Sequence, residues 1–336
     1  MTESLRIVLE ETSQTAEARR AARRMSKQIG FDETLAEQVA IVVTEACTNL
    51  LKHGGGGEVL LQTTGDHSRE QPKLELMALD RGPGMNLEQC TQDGFTTGTS
   101  PGHGLGAIMR LSSTCDFYSL PRKGTVVLAR WAVPETKPEN EEQPLRFGAV
   151  HVCKRGQEIS GDSWGLEQIN GYSVIMMADG LGHGYEAHVA SSEAIRIFHL
   201  HAELPPKALI ERTHQALRSG RGAAVAVAKI DRHTGTLTFS GAGNISAQIY
   251  SPAKPCQHLV SVNGTAGHQT QTLREFSYPW PADGVLVMHS DGLSRGTGLE
   301  SYPRLPARDA SLIAGVLYRD FSRGHDDATV VVAKAA

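Results

Sequence analysis

A chain of 336 residues with a formal net charge of -4 is long enough to bury two cores and too evenly balanced in charge to be built for a polyanion, which argues against nucleic acid. Its five cysteines, Cys47, Cys90, Cys115, Cys153 and Cys256, are scattered without C-x-x-C spacing, which speaks against a disulfide framework or a zinc site and for a reducing compartment. No window approaches the ~20 apolar residues of a membrane span, and the start has no signal-peptide core, so a cytoplasmic protein is expected.

The elements follow in chain order. Residues 5–9 alternate as a strand, and 13–29 carry Ala18, Ala22, Met25 and Ile29 on one helical face before Gly30 ends the run. Arg19, Arg20, Arg23 and Arg24 on that helix form either a solvated face or a docking surface for an acidic partner. Asp32 can cap a second helix through Leu35, Val39, Val42, Val43 and Ala46 to Leu50, ahead of the break at Gly54 to Gly57. Strands at 58–63, 74–79 and 125–131 complete a first domain with helices on one face of a mixed sheet. Residues 133–144 then hold three prolines, four glutamates and little to bury, so they read as an exposed linker. The expected division is a domain at 1–132, a linker at 133–145 and a second domain at 146–336. In the latter, β-rich runs at 147–152, 172–178, 223–230, 237–240, 247–250, 284–289 and 328–333 are interrupted by helices at 185–200, 205–218 and 310–321. That count suits an α/β sandwich with central sheets.

Three phrases in the first domain bear on chemistry. Glu45 and Asn49 are four apart, so they project from one helical face, where an amide oxygen can hold Mg²⁺ between phosphates and a carboxylate can deprotonate a hydroxyl. Asp80 ends an apolar strand and is followed by Gly82 and Gly84, which suits an adenine: the carboxylate accepts its exocyclic amine and the glycines admit the ring. Gly102, Gly104 and Gly106 open a helical run and offer amides to phosphate oxygens. Each phrase alone is also an ordinary polar face or turn; the three in this order point to a nucleotide site.

The second domain is marked by aspartates. Asp162 lies in Ser-Gly-Asp-Ser, Asp179 in Ala-Asp-Gly-Leu-Gly-His, Asp291 in His-Ser-Asp-Gly-Leu and Asp326 in Gly-His-Asp-Asp-Ala. An Asp-Gly pair is usually a turn. Carboxylates repeated at strand ends, with the carbonyl of Gly180, instead suit two hard cations and hydrolysis of a phosphoryl group without a covalent intermediate. Charge alone leaves a nuclease or pyrophosphatase open, though no basic surface favours nucleic acid.

The first set of boxes is in the order of the GHKL ATPase superfamily, and together with 18–31 and 45–53 it resembles the RsbT-type switch kinases of bacterial partner-switching systems. The resemblance implies a Bergerat-type α/β sandwich in which Asn49 holds magnesium, Glu45 is the catalytic base, Asp80 reads adenine, and Gly82, Gly84, Gly102, Gly104 and Gly106 line ATP, with 95–98 in a short lid. The four acidic phrases resemble the SpoIIE/RsbX branch of the metal-dependent PPM serine/threonine phosphatases. This implies an αββα sandwich with two Mn²⁺ or Mg²⁺. Asp179 would bridge the pair, the Gly180 carbonyl would contribute, Asp291 and Asp326 would complete the second position, and Asp162 would bind directly or through water. His183 would donate a proton to the leaving serine oxygen or structure its loop; Lys154 and Arg155 are the candidates for substrate phosphate. The fold expected is thus a two-domain α/β chain of α+β type. The function expected is a bifunctional partner-switching regulator that phosphorylates and dephosphorylates Ser/Thr on STAS-domain antagonist or scaffold proteins controlling a sigma factor or a stress pathway. The alternative is a phosphatase whose N-terminal domain, anti-sigma-like, only binds a partner.

Overall fold

The computed structural model describes residues 3–65, 72–85, 103–133, 145–169, 171–294, 296 and 298–335. The chain divides into two compact units, Met1–Glu141 and Glu142–Ala336. The first unit runs β1 (Leu5–Leu9), α1 (Ser13–Gln28), α2 (Glu33–Asn49), a π-helical turn (Leu50–Gly54), β2 (Gly57–Thr64), β3 (Lys73–Leu79), α3 (His103–Leu111), β4 (Thr114–Leu120) and β5 (Gly124–Ala132). The strands form one sheet in the order β1-β2-β3-β5-β4. Every pair in it is antiparallel, so the expectation of a mixed sheet is corrected. The edge strand β4, absent from the sequence reading, follows α3 directly and returns beside β5, which requires no crossover.

Alternation along the strands sends Val59, Leu61, Leu74, Leu76, Ala129 and Trp131 to the face under the helices, where they pack with Ala18, Val39, Val43 and Ile108. Trp131 carries its polar end into that core and donates from Nε1 to the Leu111 carbonyl at 2.6 Å, tying α3 to β5. The opposite face holds a polar row set by register: Gln62 faces Glu75, and Glu75 faces Arg130. Gln62 Nε2 donates to Glu75 Oε1 at 2.6 Å, and Arg130 Nε to Glu75 Oε2 at 2.9 Å. The fully buried Glu75 is therefore paired and hydrogen-bonded, as a buried carboxylate must be. The capping of α2 matches expectation: Asp32 accepts from the Leu35 amide at 2.7 Å.

The second unit has two five-stranded sheets, in the orders β13-β10-β9-β8-β7 and β12-β11-β14-β15-β6. Their strands are β6 (Leu145–Val152), β7 (Asp162–Ile169), β8 (Tyr172–Gly180), β9 (Ala223–Asp231), β10 (Thr236–Ala242), β11 (Ser246–Ser251), β12 (Lys254–His258), β13 (Phe276–Pro279), β14 (Val285–His289) and β15 (Ala328–Ala335). Ile175, Met177, Ala226 and Phe239 of one sheet meet Ile249, Leu286, Met288 and Val331 of the other in the central core. The alternate residues Val174, Met176, Val225 and Val227 face outward onto α4 (Tyr185–His201) and α5 (Pro206–Ala216). The helix α6 (Ala310–Phe321) packs on β6 and β15, on the other side. The result is a four-layer αββα sandwich. Among the described residues no helix is long and apolar enough to cross a membrane.

Candidate functional site

In the second unit the period of two decides which side chains meet. Ile175 and Met177 of β8 point between the sheets, so Asp179 does too, and its partner in register on β7 is Asp162. Across the gap, Met288 and Val331 point inward, which places Ser290 and Thr329 opposite. Both hydroxyls donate to Asp162 Oδ2, at 2.6 and 2.7 Å, and stitch the two sheets together at this end. Asp291 follows Ser290, and Asp326 and Asp327 precede β15, so the same end collects five aspartates.

Their electrostatics record that closeness. Burial, with Asp327 and Asp291 adding to it, pushes the Asp162 carboxyl up to about 7 against the pull of its two hydroxyl donors. Asp179 is pushed up to about 9, first by burial and then by the charges of Asp162, Asp291, Asp326 and Asp327. Asp291 is also raised, by burial and Asp326, while Arg323 and the 2.7 Å hydrogen bond from Asn244 Nδ2 draw it down. Oxygen-only donors that repel one another at a buried sheet end are the chemistry that hard divalent cations take. Among the described residues, however, no group of three or more His, Cys, Asp or Glu side chains is drawn tightly enough together to hold an ion. The carboxylates sit within electrostatic range rather than at ligand spacing; repulsion opposes their closure, and a cation would reverse that sign.

The neighbours have separable tasks. Asp327 accepts from the Lys154 amide at 2.7 Å through Oδ1 and from the Gly161 amide at 2.8 Å through Oδ2, so it pins the loop before β7. Among the described residues, Asp326 has only its own chain neighbour's amide, at 3.1 Å, on Oδ1. Gly180 allows α4 to begin close by: a Cβ there would lie 2.0 Å from the Ala187 carbonyl oxygen. His183 is exposed in the loop between β8 and α4, outside the hydrogen bonds that join the carboxylates. Behind the cluster, burial holds His151 down at about 4, so this imidazole is neutral at pH 7. Asp327, Ser290, Thr329 and Asn244 escaped the sequence reading as site residues. Asp327, Ser290 and Thr329 stood inside the aspartate phrases, whereas Asn244, with Gly241 and Gly243, read only as shaping a loop.

In the first unit, Glu45 and Asn49 share a face of α2, and α3 crosses that face at Gly104. A Cβ on Gly104 would lie 3.1 Å from Glu45 Oε2 and 3.3 Å from Asn49 Oδ1, so only a glycine lets this backbone approach without displacing them. Gly106 is turned toward Arg110 instead. The π-helical turn at the end of α2, of a kind often found at functional sites, carries Gly54 against Asp80, and Gly82 packs on the carbonyls of His53 and Gly54. Asp80 Oδ1 accepts from the amides of Gly82 at 2.8 Å and Thr125 at 3.2 Å, which fixes the carboxylate at the strand end. Gly84, at φ +70°, lies on the Leu120 carbonyl. Gly102 and the lid at 95–98 lie outside the described residues.

Comparison with known proteins finds one family match within each unit. Residues 8–131 match the family described as histidine kinase-like ATPase domain, and residues 170–336 match stage II sporulation protein E (SpoIIE). Asp162 precedes the latter match. The chain is similar to phosphoserine phosphatase RsbX of Bacillus subtilis (strain 168), with 26% identity over 154 residues, 46% of this chain and 77% of that protein. It is also similar to serine/threonine-protein kinase RsbT of the same organism, with 27% identity over 116 residues, 34% of this chain and 86% of that protein. A crystal structure of RsbX in complex with magnesium superposes with a TM-score of 0.54 at 22% identity, covering 59% of this chain and 98% of that one, and so shares the fold.

Proposed function

We propose a partner-switching regulator that both adds and removes phosphate on protein serine or threonine, because residues 8–131 match a histidine kinase-like ATPase domain and residues 170–336 match SpoIIE. The observation that carries the reading is the cluster of aspartates around the facing pair Asp162 and Asp179, whose mutual repulsion asks for divalent charge.

In the second unit, Asp179, the Gly180 carbonyl, Asp291 and Asp326 would hold a pair of Mn²⁺ or Mg²⁺ ions, with Asp162 binding directly or through water. Such a pair, when bound, supplies a water of lowered pKa and positive charge for the phosphoryl oxygens. The residues around it are already organised for that load: Asn244 orients Asp291, Ser290 and Thr329 orient Asp162, and Asp327 holds the loop that presents Lys154 and Arg155. His183, being exposed and outside the network, fits a loop role at least as well as proton donation. In the first unit, Asn49 would hold Mg²⁺ with ATP, Asp80 would read adenine, Gly82, Gly84, Gly102, Gly104 and Gly106 would line the nucleotide, and Glu45 would be the base.

The substrates that fit are STAS-domain antagonist or scaffold phosphoproteins in the cytoplasm, with a sigma factor or stress regulator downstream; the similarity to RsbT and RsbX supports that class. The test is incubation of the full chain with candidate STAS proteins from the same genome. Radiolabelled phosphate is expected to pass from ATP to one of them, and Mn²⁺ is expected to drive phosphate release that a chelator stops. Release that persists in chelator would reject the metal-dependent phosphatase.

A further inference from the structure

Residues between β12 and β13 form a hairpin rather than a plain loop. The Thr265 amide donates to the Gln269 carbonyl at 2.9 Å, the Gln271 amide to the Asn263 carbonyl at 3.1 Å, and Gly264 pairs with Thr270. The hairpin is sewn to the carboxylate end of the sandwich at two places. Ala266 at its tip pairs with Ala223, which in turn pairs with Gly180 beside Asp179. Its first leg runs along the end of β10: the Val262 amide donates to the Gly241 carbonyl at 2.8 Å and the Gly243 amide to the Val262 carbonyl at 2.9 Å. The next residue, Asn244, is the one that holds Asp291. Two strand spacings separate the tip from Gly180, about 10 Å.

Alongside this hairpin lies an open groove of about 960 Å³. Its lining has no acidic side chain and one cation, Arg274, which is exposed and enters no ion pair among the described residues. Asn263, Gln269 and Gln271 contribute carboxamides, Thr272 a hydroxyl, and the half-exposed Val260 an apolar wall. Carboxamides and hydroxyls both donate and accept, which matches the alternating N–H and C=O groups of an extended peptide; Arg274 matches a carboxylate on it.

We propose that this groove seats the phosphoprotein substrate, as an extended segment with an acidic residue flanking the phosphoserine, and delivers the phosphoserine to the carboxylate cluster. The inference rests on the phosphatase reading above. A peptide advances about 3.3 Å per residue. Phe276 is level with Phe239, Ala228 and Ile175, three strand spacings across and four residues along from Asp179, on the order of 20 Å. The acidic flank at the Arg274 end therefore lies several residues from the phosphoserine. Arg274 is then a specificity-determining residue for the flank and takes no part in the chemistry.

The experiment uses the full chain with Mn²⁺, four probes and the variant Arg274→Glu. The probes are p-nitrophenyl phosphate and three short synthetic phosphoserine peptides flanked by glutamates, alanines or lysines. Reversing one rim charge is expected to raise KM for the glutamate-flanked peptide about tenfold with kcat kept, to lower it for the lysine-flanked peptide, and to leave p-nitrophenyl phosphate unchanged. Equal change on all four probes, or no change on any peptide, would overturn the groove. Failure of the unsubstituted chain to hydrolyse p-nitrophenyl phosphate would instead strike the phosphatase reading.

Discussion

Asp179→Asn is expected to lower kcat for Mn²⁺-dependent phosphoserine hydrolysis by about three orders of magnitude, because a bound cation pair contributes several kcal/mol to transition-state charge and each 1.36 kcal/mol is tenfold. Asp179 sits where the charges of four other aspartates are felt together, and it faces Asp162 in register, so no other single residue couples as much of the cluster. The substitution keeps the side-chain volume and removes the charge. The folded state should be preserved, and circular dichroism with kcat at saturating Mn²⁺ separates lost chemistry from lost structure. Activity within tenfold of the parent would mean that the reaction runs elsewhere.

Glu45→Gln is the corresponding change in the first unit. A general base contributes about 10²–10⁴ in rate, so phosphate transfer from ATP to a STAS protein should fall by that factor. Nucleotide affinity should hold, since Asn49, Asp80 and the Gly104 approach remain intact. Labelled transfer, nucleotide titration and partner capture, measured side by side, distinguish catalysis from binding. Capture retained with transfer lost is the expected pattern; transfer at the parental rate would remove Glu45 as the base and favour a unit that only binds.

The elements that position these sites were largely legible in the sequence. The apolar run 310–321 has the same bounds as α6, Ala310–Phe321, and the alternating run 5–9 is β1. β7 was missed for a physical reason: Gly165 in its middle weakens the strand pattern, whereas it is there because a Cβ would lie 2.8 Å from the Phe198 ring. β12 and β13 were missed because they are short, largely exposed edge strands whose pairing, rather than any apolar face, defines them. At the cluster, spacing cannot tell Asp326 from Asp327. Only the structure reveals that both Asp327 oxygens are taken by main-chain amides while Asp326, among the described residues, keeps only a neighbour's. The hydroxyl donors of Asp162 were equally hidden, because Ser290 and Thr329 meet it from the other sheet, more than a hundred residues away. The conjunction of Glu45, Asn49 and Gly104 could be named but not joined, since residues far apart in sequence meet only where α3 crosses α2.

That the aspartate cluster is built to take divalent cations is tested most directly by thermal unfolding of the full chain and of Asp179→Asn from pH 5 to pH 9, each in chelator and in Mn²⁺. In chelator the native Asp179 carboxyl is held up to about 9, against 3.8 for an ordinary aspartate, so the native state keeps a proton that the unfolded chain has released. Its stabilising contribution is full below the ordinary value and is lost as pH rises through the native one. The Tm of the unsubstituted chain should therefore fall relative to that of the variant as pH increases, by at least about 3 °C. Mn²⁺ should restore the unsubstituted chain far more than the variant. Parallel curves in chelator, with Mn²⁺ raising both proteins alike or neither, would contradict a cation site at Asp179.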